Sequence, residues 1–246
     1  SCTCDRPRSP FLLIYLWKIP DMRKNMKMAD LIGADYRLLT VIYRLGIKLG
    51  FGEKTVEETC RESGVNCDTF LLIANVYSTE GYVPTTEMMT AASAIDLVKY
   101  LHASHSYYLD HEIRDMNLLF ESLLRPCTQM QRNVIMRFFE GYKEEIERHF
   151  AYEEDIVFPY VRSVADGHKV DGYSIETFEE NHNNIDEKLN DLRNIVMKYL
   201  PPVCDTVTAI RALSRLCTLE ADLEKHTLIE NSILIPMVNR LEEKCQ

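Results

Sequence analysis

Glycine and proline are scarce, with nine of each in 246 residues. So few turn-formers disfavour a turn-rich all-β fold and favour long helices. No apolar run approaches the roughly 18–20 residues that a membrane span needs. Basic charge is short as well: 28 Lys and Arg face 38 Asp and Glu, a formal net charge of −10. No basic stripe survives that balance, which argues against nucleic acid and anionic membranes as partners. None of the eight cysteines forms a Cys-x-x-Cys pair, so the usual signature of structural zinc or thioredoxin chemistry is missing. Scattered thiols of this kind read as free cysteines in a reducing cytoplasm. What is abundant is core material: 46% of residues are hydrophobic and 27% charged, a composition that folds.

Residues 1–21 begin with Arg6 and Arg8, followed by a seven-residue apolar stretch, Phe11 to Trp17. The stretch resembles a poor secretory signal without a small-residue cleavage site, and reads as an upstream extension with little fold value. Residues 22–84 read as a small helical domain. From Met28 to Lys48, Leu31, Ile32, Tyr36, Leu39, Val41, Ile42 and Leu45 recur at helical spacing, until Gly46, Gly50 and Gly52 break the pattern. Thr55-Val56-Glu57-Glu58 carries an N-cap signal for a short helix ending near Gly64, and a further helix runs from Asp68 to Thr79. Gly81 to Thr86 marks the boundary. Residues 85–246 hold four long helical patterns, near 90–124, 128–163, 174–199 and 205–242. Their short connections predict an all-α fold built on an antiparallel four-helix bundle.

Two of these helices share a motif. His149-x-x-x-Glu153-x-x-Ile156 ends at Pro159, and His226-x-x-x-Glu230-x-x-Ile233 ends at Pro236. A spacing of four places the imidazole and the carboxylate on one helix face. That face is otherwise apolar: Tyr142, Ile146, Val157 and Tyr160 on the second helix, and Leu219, Leu223, Ile233 and Leu234 on the fourth. The other two helices each supply a further histidine. His102 falls in a row with Ile95, Val98 and Leu109, and His182 in a row with Phe178, Ile185, Leu189 and Leu192. The intervals from these histidines to the motif are 47 and 44 residues. The bundle thus reads as two helical hairpins in tandem, each with one His and then His-x-x-x-Glu.

Carboxylates and imidazoles on an apolar stripe cost several kcal/mol each unless they are partnered. Four His and two Glu without a thiolate suit a pair of divalent first-row metals, with the glutamates bridging ions about 3.5–4 Å apart. His105, three residues beyond His102, is either a supporting donor or an alternative ligand. Tyr108, Tyr152 and Asp186 are candidates to orient the imidazoles. His111 and His168 read as solvent-facing.

The series His102, His149-x-x-x-Glu153, His182, His226-x-x-x-Glu230 resembles the hemerythrin-like cation-binding domain. It is most similar to the iron–sulfur cluster repair di-iron proteins, also described as regulators of cell morphogenesis and NO signalling. This resemblance implies two non-haem irons, oxo- or hydroxo-bridged, held by those six residues, with Glu153 and Glu230 bridging. It also implies a role in nitrosative and oxidative stress, with NO or O2 as ligand and proteins carrying damaged iron–sulfur clusters as partners. The leading domain is similar to that family's N-terminal domain through Tyr43-Arg44-Leu45-Gly46-Ile47 and Thr55 to Val65. By analogy with the family, a homodimer would form through this domain. One departure stands out: where the family carries Cys-Cys-Gly-Gly, this chain reads Leu49-Gly50-Phe51-Gly52. Without the paired thiols, an O2- or NO-binding sensor without turnover is the competing expectation.

Overall fold

The computed structural model describes residues 22–168, 172–181 and 186–245. The N-terminal extension, His182 and Ile185 lie outside these residues, and so does the side chain of Asp186. Five short helices come first: α1 (Met28–Ala34), α2 (Leu38–Arg44), α3 (Val56–Ser63), α4 (Cys67–Ser78) and α5 (Thr86–Ala91). The expected helix over 28–48 is broken at Asp35. There the carboxylate accepts a hydrogen bond from the backbone N–H of Arg37 (3.1 Å), from the Arg37 guanidinium (2.8 and 2.7 Å) and from Ser78 Oγ (2.6 Å). An aspartate that captures a backbone donor two residues on replaces helix with turn. The break resets the helical phase, so Tyr36 and Leu39 face solvent while Leu38, Val41 and Ile42 enter the core.

The Thr55 signal becomes a reciprocal capping box. Thr55 Oγ1 accepts from the Glu58 N–H (3.2 Å), and Glu58 accepts from the Thr55 N–H (2.8 Å). Gly64 ends α3 in the left-handed region at φ 68°, where a Cβ would be strained. Substituting Thr55→Ala should therefore cost about 1 kcal/mol, read as a lower denaturant midpoint with an unchanged slope. Helix α4 is buried along most of its length and packs on α2, α3, α5 and α12.

The bundle follows, and its long helices are each interrupted by one widened π turn wherever they are described throughout. The first comprises α6 (Ala94–Tyr107), π1 (Tyr108–Ile113) and α7 (Arg114–Leu124). The second comprises α8 (Gln129–Tyr152), π2 (Glu153–Val157) and α9 (Phe158–Ala165). The third is α10 (Ile175–Asn181) and α11 (Asp186–Tyr199). The fourth is α12 (Thr206–Ile229), π3 (Glu230–Leu234) and α13 (Ile235–Lys244). Thr128 and Asp205 cap α8 and α12 through their side chains. Pro159 and Pro236 explain two of the π turns: each lacks an N–H and crowds the carbonyl four residues back, and widening the preceding turn relieves both conflicts.

Within the bundle, α11 packs against α8 and α12, α12 against α7, and α6 against α9. The buried apolar side chains form two clusters. One joins the leading helices, from Met28 to Tyr77, to Leu97, Leu101, Phe158, Ile229 and Val238. It runs across the sequence boundary near residue 84. The other fills the remainder of the bundle, from Tyr108 and Phe120 to Phe139, Phe150, Leu192 and Leu223.

A buried polar network ties α2 to the bundle. The Arg44 side chain is fully buried and forms an ion pair with Asp222 on α12. Arg44 also donates to the Tyr77 hydroxyl (2.8 Å), which in turn donates to Asp222 Oδ1 (2.7 Å), and Tyr100 donates to Tyr77 (2.9 Å). The guanidinium lies 4.8 Å from the Tyr108 ring centre, a desolvated cation–π contact. Among the described residues, no helix is long and apolar enough to cross a membrane.

Candidate metal centre

Between the two apolar clusters lies a polar layer. His105 from α6, Glu153 from the start of π2, His226 from the end of α12 and Glu230 from the start of π3 are all buried. Each offers a ligand atom, and these atoms lie within 4.8 Å of one another. His105 Nε2 is 3.0 Å from Glu153 Oε2 and 3.3 Å from His226 Nε2. His226 Nε2 is 3.2 Å from Glu230 Oε1, and His149 Nε2 is 2.9 Å from Glu153 Oε1. In both His-x-x-x-Glu motifs the imidazole nitrogen and the carboxylate therefore meet across a single helical turn, and each glutamate opens a π turn. Such turns recur at functional sites because the extra residue redirects the side chains beside it.

Of the histidines expected at the centre, the structure brings His149 and His226 there, with both glutamates; His182 lies outside the described residues. It does not bring His102, whose side chain is 57% exposed. His105 occupies the inward position instead. The reason is helical phase: Leu97, Leu101, His105 and Tyr108 form the buried stripe of the first helix, and His102 stands three residues before His105, off that stripe. Ile95 and Leu109, placed in one row with His102, are only half-buried. The sequence holds a signal that agrees with this placement. His105 precedes His149 by 44 residues, the same interval that separates His182 from His226.

Sequence reasoning also missed Glu154. Its Oε1 lies 2.7 Å from His105 Nδ1 and its Oε2 lies 2.9 Å from His102 Nδ1. Burial alone would push Glu154 upward, but its bonds to the two imidazoles outweigh this and hold the carboxyl below its ordinary value. Burial likewise pulls His105 down, while its bonds to Glu153 and Glu154 raise it overall. A carboxylate at Nδ1 fixes the ring tautomer and leaves Nε2 for a metal. His102 thus touches the polar layer from outside, through Glu154.

Aromatic rings seal the layer. The His105 ring is stacked on Phe150 (3.9 Å between centres) and on Phe158 (5.3 Å). Tyr108 meets His226 edge-on at 5.8 Å. Tyr152, expected near the imidazoles, instead shares a hydrogen bond with Tyr173 (3.0 Å). His111 and His168 are exposed, as expected.

The donor set suits a first-row metal: imidazole nitrogen and carboxylate oxygen only, two carboxylates to balance cationic charge, and water largely excluded. A fold of this kind with this site defines a class, the helical-bundle proteins that hold cations through His and Glu from facing helices. The hemerythrin HHE cation-binding domain matches residues 97–242, and the chain belongs to that family. It is also similar to the iron–sulfur cluster repair protein ScdA of Staphylococcus haemolyticus (strain JCSC1435). The two are 28% identical over 189 residues, covering 74% of this chain and 83% of that protein.

Proposed function

We propose that the chain is a non-haem di-iron protein of the iron–sulfur cluster repair type, acting in nitrosative and oxidative stress. The observation that carries this reading is the buried convergence of His105, Glu153, His226 and Glu230 in a chain similar to ScdA. The proposed ligands are His105, His149, Glu153, His182, His226 and Glu230, with the two glutamates bridging. Held by these residues, the metals would be able to take NO or O2 as a further ligand. When bound, the two irons would supply the redox and diatomic-ligand chemistry. The chain's own part is to orient and to exclude water. Glu154 holds the proton at His105 Nδ1, Phe150 and Phe158 fix the ring plane, and the paired apolar clusters keep bulk solvent out. Clients would be cytoplasmic proteins with damaged iron–sulfur clusters, met by the chain alone or as a homodimer.

A second reading, an O2- or NO-binding sensor without turnover, is favoured by one observation. The stretch Leu49-Gly50-Phe51-Gly52 places an exposed Leu49 and a glycine where the resembled family carries its cysteine pair. Protein purified without oxygen and carrying about two irons per chain should restore a damaged cluster enzyme. Reversible spectral change with O2 or NO, and no restoration, would establish the sensor instead. One zinc and no iron would end both readings.

Glu154 offers a finer check. E154Q should weaken iron retention about 10- to 100-fold in a chelator competition, with helix content unchanged. Equal retention would remove Glu154 from the site.

A further inference from the structure

Far from the metal centre, two thiols meet. Cys127 sits in the turn between α7 and α8, and Cys204 in the turn between α11 and α12; both are buried, with Sγ atoms 3.2 Å apart. Each residue directly precedes the capping residue of its helix, Thr128 or Asp205. Each also stands 22 residues before the histidine of its His-x-x-x-Glu motif. They are therefore equivalent positions of the two tandem hairpins, and equivalent positions touch only near the axis that relates the halves. The gap exceeds the S–S bond of about 2.0 Å by about 1.2 Å, within reach of small movements in two turns.

We propose that Cys127 and Cys204 are a redox-active pair whose disulfide clamps the two hairpins together at the end of the bundle about 33 Å, or 22 helical residues, from the metal centre. The oxidant is a small disulfide. One thiol loses its proton and attacks glutathione disulfide, giving a mixed disulfide and one glutathione. The second thiol then displaces the other glutathione. Two chain thiols are oxidised, one external disulfide is reduced, and one S–S bond is made for the one broken. Burial, with the Cys127 contact, pushes the Cys204 thiol up to about 12, so Cys204 itself carries little thiolate at neutral pH.

The full chain, with its metal, is incubated with glutathione disulfide, quenched with an alkylating reagent and digested without reduction. The expected product is a peptide pair cross-linked through Cys127 and Cys204, with two glutathiones released per bond formed. A loop of this length should raise Tm by about 10 °C, reversibly with dithiothreitol, and C127S and C204S should show no rise. Both cysteines recovered as alkylated thiols or as stable glutathione adducts would overturn the proposal. The cross-link is mapped in the unsubstituted chain, so it is decided even if a variant fails to fold. A cross-link that leaves Tm unmoved would overturn the clamp.

Discussion

H105A is expected to purify without oxygen nearly devoid of iron, while H102A keeps close to the full complement of about two ions per chain. The difference follows from where the two rings stand. His105 is buried with Nε2 3.0 Å from Glu153, whereas His102 is largely exposed and pairs with Glu154. Loss of one imidazole removes a metal-binding nitrogen from a small buried donor set that has no spare side chain to replace it, so occupancy should collapse rather than fall by a fraction. Metal analysis beside far-ultraviolet circular dichroism checks both halves, since iron must fall while helix content stays. E230A should behave as H105A does. An empty H102A beside a loaded H105A would reverse the assignment.

The second large effect lies at the junction of α2 and α12. R44A should destabilise the chain by about 3 kcal/mol, because it leaves the partly buried Asp222 without its counter-charge. Denaturant unfolding measures this, and R44M with D222L should recover much of the loss, since an apolar pair removes the stranded charge. The same pair dictates a pH dependence. Burial raises Asp222, but the Arg44 charge outweighs it, and its carboxyl is held below the ordinary carboxylate value. A carboxyl depressed in the folded state binds fewer protons there than in the unfolded chain. Its stabilising contribution is therefore complete above about pH 4 and is lost as pH falls through the folded value. D222N should flatten that acid limb. An acid limb identical to that of the unsubstituted chain would show that Asp222 does not contribute to it.

Periodicity and capping chemistry made most helices legible. Thr55 and Gly64 mark the ends of α3 in the sequence, and the four long helices lie within a few residues of expectation. Exceptions have local causes: Asp35 breaks the first helix by side-chain capture of a backbone donor, and Ser93 caps a new start four residues after the expected one. The π turns were not foreseen, although two of them stand just before prolines that make them favourable.

Spacing alone determined that His149 pairs with Glu153 and His226 with Glu230, because residues four apart on a helix share a face wherever that helix packs. It determined, too, that the bundle is a tandem of two hairpins. Which face of the first helix turns inward was decided by its packing against α9 and α2, and that rotation turned His105 inward and His102 outward. Glu154, the Arg44–Asp222 pair and the meeting of Cys127 with Cys204 likewise join residues from separate helices and turns. A one-dimensional pattern carries distance along an element; the phase of each helix, and the company its side chains keep, come only from close packing of all of them at once.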